Sequence, residues 1–122
     1  MKYQVKITGL GEDALAFLGE DDNNFIIIFN EDAPPELADL SVLHTKAELG
    51  APPAVGDTLK ICNKSFKITA VGYEALKTLP ELGHCTIDFR GGSEPDRPGC
   101  IMVEGEELLP DDIKVGGMIE IF

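Results

Sequence analysis

A mostly-β domain is the fold this sequence predicts: a closed or partly closed barrel of about eight strands with two short helices. Three observations predict it. The 122 residues are 43% hydrophobic, enough for a core without cross-links. Short runs that alternate apolar and polar residues are separated by Gly- and Pro-rich turns. The chain also echoes itself. "VKITGLGEDALAFLGE" (5–20) lies over "FKITAVGYEALKTLPE" (66–81), with Lys6, Ile7, Thr8, Gly11, Ala14, Leu15, Leu18 and Glu20 meeting identical residues. "VGDTLKI" (55–61) lies over "VGGMIEI" (115–121) in the same order.

The echo divides one domain, 1–122, into two related units, about 1–61 and 62–122, each reading β-α-β-β-β. The first strands, 3–8 and 65–70, alternate apolar and polar residues. Short helices follow at "EDALAFL" and "YEALKTL", with Ala and Leu at helical spacing. The second strands are "NFIIIFN" and "HCTIDFR", the former apolar enough for burial on both faces. Pro-rich connections lead to "SVLHTKAEL" (41–49) and "CIMVEG" (100–105), and Val-Gly turns to "TLKIC" and "MIEIF". Neither unit buries enough surface to stand alone, whereas two closing one sheet share a core and hide its edges. A two-layer sandwich also accommodates these strands.

Charge narrows the partners. Ten Lys and Arg against 22 Asp and Glu give a net charge of −12, which repels phosphate backbones and anionic lipid. Nucleic acid is not an expected partner. The longest apolar run, "FIIIF", is far short of the roughly 20 residues a membrane span needs, so no direct membrane insertion is expected. Cys62, Cys85 and Cys100 have no C-x-x-C spacing. With no signal peptide at "MKYQVKITG", they read as free thiols in a cytoplasmic protein.

Motif by motif, most chemistry falls away. Gly9 and Gly11 lack the third glycine and lysine of a phosphate-binding loop, and a turn explains them. "DDNN" (21–24) and "EPDRPG" (94–99) read as loops without the carboxylate spacing of a calcium site. No G-x-S-x-G, H-x-x-x-H or H-E-x-x-H occurs, so neither a hydrolase nor a metal centre is expected. His44 and His84 are the two histidines. As a strand, 41–49 sets Val42, His44, Lys46 and Glu48 on one face, read here as the open one, against Leu43, Ala47 and Leu49. The echo puts Glu104 opposite His44. His44 on an open face is either a solvated side chain or a reactive one. Its removal would then cost stability only within about 0.5 kcal/mol. His84 opens a strand with Thr86, Asp88 and Arg90 on its own face, where it is either a supporting group beside His44 or a structural histidine bonded to a carbonyl.

"SVLHTKAEL", with "EDAPPELADLSVLH", "KITAVG", "ELGHCTIDFRG" and "LLPDDIKVGGMIEIF", resembles the glucitol/sorbitol-specific enzyme IIA components of the bacterial phosphoenolpyruvate-dependent sugar phosphotransferase system. The resemblance runs over nearly the whole chain. It implies that His44 accepts a phosphoryl group from the phosphocarrier protein HPr and passes it to an enzyme IIB, so that glucitol is phosphorylated as it enters through the membrane permease component. The residues agree with this chemistry. Histidine's ordinary pKa of about 6.5 leaves a nucleophilic imidazole near neutral pH. Phosphoryl transfer needs in-line placement and donors for three oxygens. Lys46, two residues on, is the expected electrostatic help, and His84 a second supporting group; no cofactor or metal is required. Two other classes compete: a non-catalytic β-barrel interaction or regulatory module, and a metal-dependent enzyme using both histidines.

Overall fold

The computed structural model describes residues 1–20 and 22–122. Eight strands form it: β1 Tyr3–Leu10, β2 Phe25–Asn30, β3 Ser41–His44, β4 Thr58–Ile61, β5 Lys64–Val71, β6 Cys85–Asp88, β7 Cys100–Gly105 and β8 Met118–Ile121. They close into one barrel in the order β1-β3-β2-β6-β7-β5-β4-β8. Closure is what short strands need, because every edge finds a partner. The sandwich alternative is thereby set aside.

The pairings repeat between the two halves. β1 with β3 and β5 with β7 are both antiparallel, each with a register shift, at Ile7/Gly9 and at Ile68/Ala70. β2 with β3 and β6 with β7 are both parallel. At one seam β2 meets β6, Ile26 opposite Ile87; at the other β4 meets β8, Ile61 opposite Ile119. Exchanging β1–β4 with β5–β8 maps the strand order onto itself, the connectivity of a pseudo-two-fold barrel. Gly11 and Gly72 mark matched places where backbone crosses backbone. A Cβ on either would stand 2.1 Å from a carbonyl oxygen, of Ala38 or Pro98 respectively.

Inward residues fill the barrel in the period-two pattern of strands. Tyr3, Val5 and Ile7 of β1, Ile26 and Ile28 of β2, Phe66 and Ile68 of β5, and Ile119 and Ile121 of β8 are all buried. The second helix is Ala75–Leu82 (α2), with Ala75 and Leu79 on its covered side. The first differs from expectation. Residues 12–19 form consecutive turns, with bonds such as Ala14 N–H to Gly11 O and Leu18 N–H to Leu15 O, while α1 is one turn at Pro35–Ala38. Ala14 and Leu18 still reach the core from these turns. In α1, proline at its first position supplies a ready-made φ where its missing N–H costs nothing. "DDNN" begins at residue 21, outside the described residues; 22–24 run as an irregular connection into β2.

Cys62, Cys85 and Cys100 are all free. Burial and then Cys100 push the Cys85 thiol up to about 12, which keeps it protonated and unreactive. Among the described residues no helix is long and apolar enough to cross a membrane.

Candidate functional site

β3 ends at His44, five residues short of the stretch expected, and its last residue is not on an open face. The His44 side chain is fully buried. It stands opposite Ile7 of β1 and Asn30 of β2, on the inward face with Val42. The alternation of 41–49 is real, but the face carrying Val42 and His44 points into the barrel. Register also corrects the counterpart in the other half. Ile7 pairs with His44 as Ile68 pairs with Val103, so the matched position is the buried Val103 and not Glu104.

Both ring nitrogens of His44 are held by backbone carbonyls. Nδ1 lies 2.7 Å from Thr45 O and Nε2 lies 2.8 Å from Gly83 O. Carbonyls only accept, so a ring protonated on both nitrogens donates to both, and a neutral ring donates to one. Thr45 is fixed in turn to β1: its N–H donates to Lys6 O, and its Oγ1 accepts from Lys6 N–H. The second carbonyl arrives through the end of α2. Gly83 takes the left-handed conformation at φ 62°, its N–H donates to Leu79 O, and Thr78 Oγ1 donates to His84 O. Gly83 is required twice over. A Cβ there would lie 2.6 Å from His44 Cε1 and 2.1 Å from Asn30 Oδ1.

Two uncharged groups border the ring. Tyr3 meets it edge-on, ring centres 6.2 Å apart. Tyr3 Oη and Asn30 Oδ1 are the buried side-chain polar atoms without a hydrogen-bond partner among the described residues. Burial, with Cys85 second, pushes the Tyr3 phenol above its ordinary range, so it stays a neutral hydroxyl. An unpaired buried hydroxyl destabilises. Tyr3→Phe is therefore expected to hold or raise stability, by up to about 1 kcal/mol; a fall of several degrees in Tm on thermal unfolding would show that the hydroxyl is paired in solution.

The other two sequence candidates sit differently. Lys46 lies beyond the strand, exposed, with its ammonium paired to Asp32 and not to His44. That carboxylate raises the Lys46 pKa, and Lys46 lowers that of Asp32. His84 is half-buried; its Nδ1 lies 3.1 Å from Ile28 O, and its ring lies tilted by 33° against Phe29 at 4.5 Å between centres. This is the carbonyl-bonded arrangement expected of a structural histidine, one residue after the Gly83 that holds His44. Asp88 is buried and not on an open face. Arg90 binds it through Nε and Nη2, the latter at 2.7 Å. Among the described residues, no group of three or more His, Cys, Asp or Glu side chains is arranged to hold a metal.

Sequence reasoning missed Gly83, Asn30 and Tyr3. Gly83 was visible as a glycine closing a helix before "HCTIDF". Asn30 was visible as the one polar residue ending an otherwise apolar strand.

Residues 2–120 match the family described as the PTS system glucitol/sorbitol-specific IIA component. The chain is 34% identical over 118 residues to the PTS system glucitol/sorbitol-specific EIIA component of Escherichia coli (strain K12), an alignment spanning 97% of this chain and 92% of that protein. The protein of the same description from Shigella flexneri matches with the same identity and coverage. The fold is similar to the crystal structure of a PTS system IIA component from Enterococcus faecalis V583, with a TM-score of 0.74 and 26% identity over 97% of this chain and 98% of that one.

Proposed function

Because the chain belongs to the glucitol/sorbitol-specific IIA components of the phosphotransferase system, we propose that it is a histidine phosphocarrier whose phosphoryl group rides on His44. Membership brings a phosphotransfer role in sugar uptake. Our reading adds that phosphorylated HPr is the donor, that an enzyme IIB acting with the membrane permease is the acceptor, and that glucitol is the sugar. The exchange takes place in the cytoplasm and needs no cofactor or metal. We further read 1–122 as one domain of two related units, 1–61 and 62–122.

The observation that carries the assignment to His44 is its place in the core. The matched position in the other half is Val103, and both are fully buried. A site that valine can fill does not require an imidazole, and burying one costs desolvation that only its hydrogen bonds offset. Two bonds, to Thr45 O and Gly83 O, hold the ring in one orientation at the end of a strand. Such fixing is what in-line transfer asks of a nucleophile.

In the proposed step a lone pair on one ring nitrogen attacks the phosphorus on the donor histidine. The new N–P bond forms as the old one breaks, and the electron pair of the old bond returns to the donor ring. The attacking nitrogen is the unprotonated one of a neutral ring; the other nitrogen keeps its proton and its carbonyl bond, and the donor ring, protonated on its far nitrogen, leaves as a neutral imidazole. The ring is covered in the resting protein, so docking of the donor must draw one carbonyl aside. Lys46, released from Asp32, would face the incoming charge. His84 would support the site through the backbone it shares with Gly83. An interaction module without phosphate chemistry is the alternative, and it predicts no acceptance from HPr.

His44→Ala and His44→Gln are expected to accept no phosphoryl group from phosphorylated HPr, while His84→Gln accepts it more slowly. Contrary to a surface site, His44→Ala should cost on the order of 2–4 kcal/mol, because it opens a cavity and strands two carbonyls. His44→Gln keeps most of the volume and serves as the folded control. Phosphate retained in both variants would move the carrier elsewhere, with His84 first in line.

A further inference from the structure

Asn30 stands opposite His44 in the β2–β3 register, on the same inward face. Its Oδ1 is buried and has no hydrogen-bond partner among the described residues. It lies so close to the ring that a single added carbon on Gly83 would strike both Oδ1 and His44 Cε1. Cε1 is the ring atom bonded to both nitrogens, so the carboxamide oxygen comes near the ring at the atom between them. An unpaired buried polar atom destabilises the resting protein and calls for a use.

The charge around the ring says what that use is. A phosphoryl group brings negative oxygens to a chain whose net charge is already −12. Among the described residues the ring's hydrogen-bond partners are two carbonyls, which repel such oxygens, and the Lys46 ammonium is tied to Asp32. Lys46 faces the incoming charge only once it is released from Asp32, so the ring also calls for a neutral donor beside it. A half-turn of the Asn30 carboxamide puts its amino group, with two donors, where the oxygen now stands. We infer that Asn30 binds the phosphoryl group on His44, turning its amino group toward the phosphoryl oxygens once the group has arrived. This rests on His44 being the carrier.

Asn30→Ala and Asn30→Asp separate this from packing. Phosphorylated HPr is the donor, and four quantities are followed: the rate of His44 phosphorylation, the hydrolytic lifetime of the isolated phosphoprotein, Tm, and the His44 ring-nitrogen resonances of the unphosphorylated protein. Asn30→Ala is expected to lower the rate and the lifetime about tenfold, the loss of one charge-assisted hydrogen bond, with resting ring resonances unchanged. Asn30→Asp, nearly isosteric, places a carboxylate against the phosphate and is expected to lower both by about a hundredfold. Wild-type rate and lifetime in both variants would overturn the inference. So would a loss in Asn30→Ala that comes with displaced resting ring resonances, since that is a packing effect. Phosphorylation persisting in His44→Ala would remove the carrier and this inference together; normal His44 phosphorylation with Asn30 indifferent would remove this inference only.

Discussion

Gly83→Ala is expected to destabilise the protein by about 2–4 kcal/mol and to cut phosphorylation by tenfold or more, the largest effect of any single methyl group at the site. Two costs combine. The φ of 62° is left-handed, disfavoured for alanine by about 1 kcal/mol. The added carbon also meets Asn30 Oδ1 at 2.1 Å and His44 Cε1 at 2.6 Å; the carboxamide must turn away, and the fully buried ring has little room to do so. The His44 ring must then swing, and its bond to Gly83 O weakens as that carbonyl shifts. Thermal unfolding reports the first effect and the His44 ring-nitrogen resonances the second. A Gly83→Ala protein with wild-type Tm and unmoved resonances would show that the α2 end does not position the ring.

Arg90→Met is expected to cost about 2–3 kcal/mol, without touching His44. The Asp88 side chain is 2% exposed, and Arg90 gives it Nε and Nη2 donors as well as its own backbone N–H. The same guanidinium reaches Asp96 at 3.1 Å and so ties the 90–99 connection to β6. Removing it leaves a carboxylate buried without its counter-charge. A fully buried pair would lose about 3–5 kcal/mol, and the 40% exposure of Arg90 moderates that figure. Asp88→Leu combined with Arg90→Met should recover part of the loss, because the stranded charge goes with the carboxylate. Chemical denaturation measures both variants. A single variant as stable as the wild type would mean that water already compensates Asp88.

Much of the barrel was legible because its strands are short and bounded by turn residues. β7 runs Cys100–Gly105, the stretch "CIMVEG" expected after the second Pro-rich connection. β8 and β4 follow the Val-Gly turns as expected, Gly56 and Gly116 both at φ 96°. What failed had a common physical cause. Polarity at a single position was read as exposure, although tertiary packing decides which face turns inward. Val42 on the supposed open face was the warning, since it is as buried as His44. Asp88 was misplaced in the same way, and its partner Arg90, two residues on, was the visible sign. Glu104 was set against His44 because a uniform offset ignores unequal connections, and only the β1–β3 and β5–β7 registers align His44 with Val103. The turns at 12–19 kept the apolar spacing of a helix but close through bonds three residues apart, such as Ala14 N–H to Gly11 O.

The most direct measurement is to phosphorylate the wild-type protein with phosphorylated HPr and locate the group by tandem mass spectrometry under conditions that preserve phosphohistidine. One phosphoryl group per chain, on the peptide containing His44 and lost in His44→Gln, is the result this account predicts. A phosphoryl group on His84, or none on either histidine of a folded protein, would contradict it.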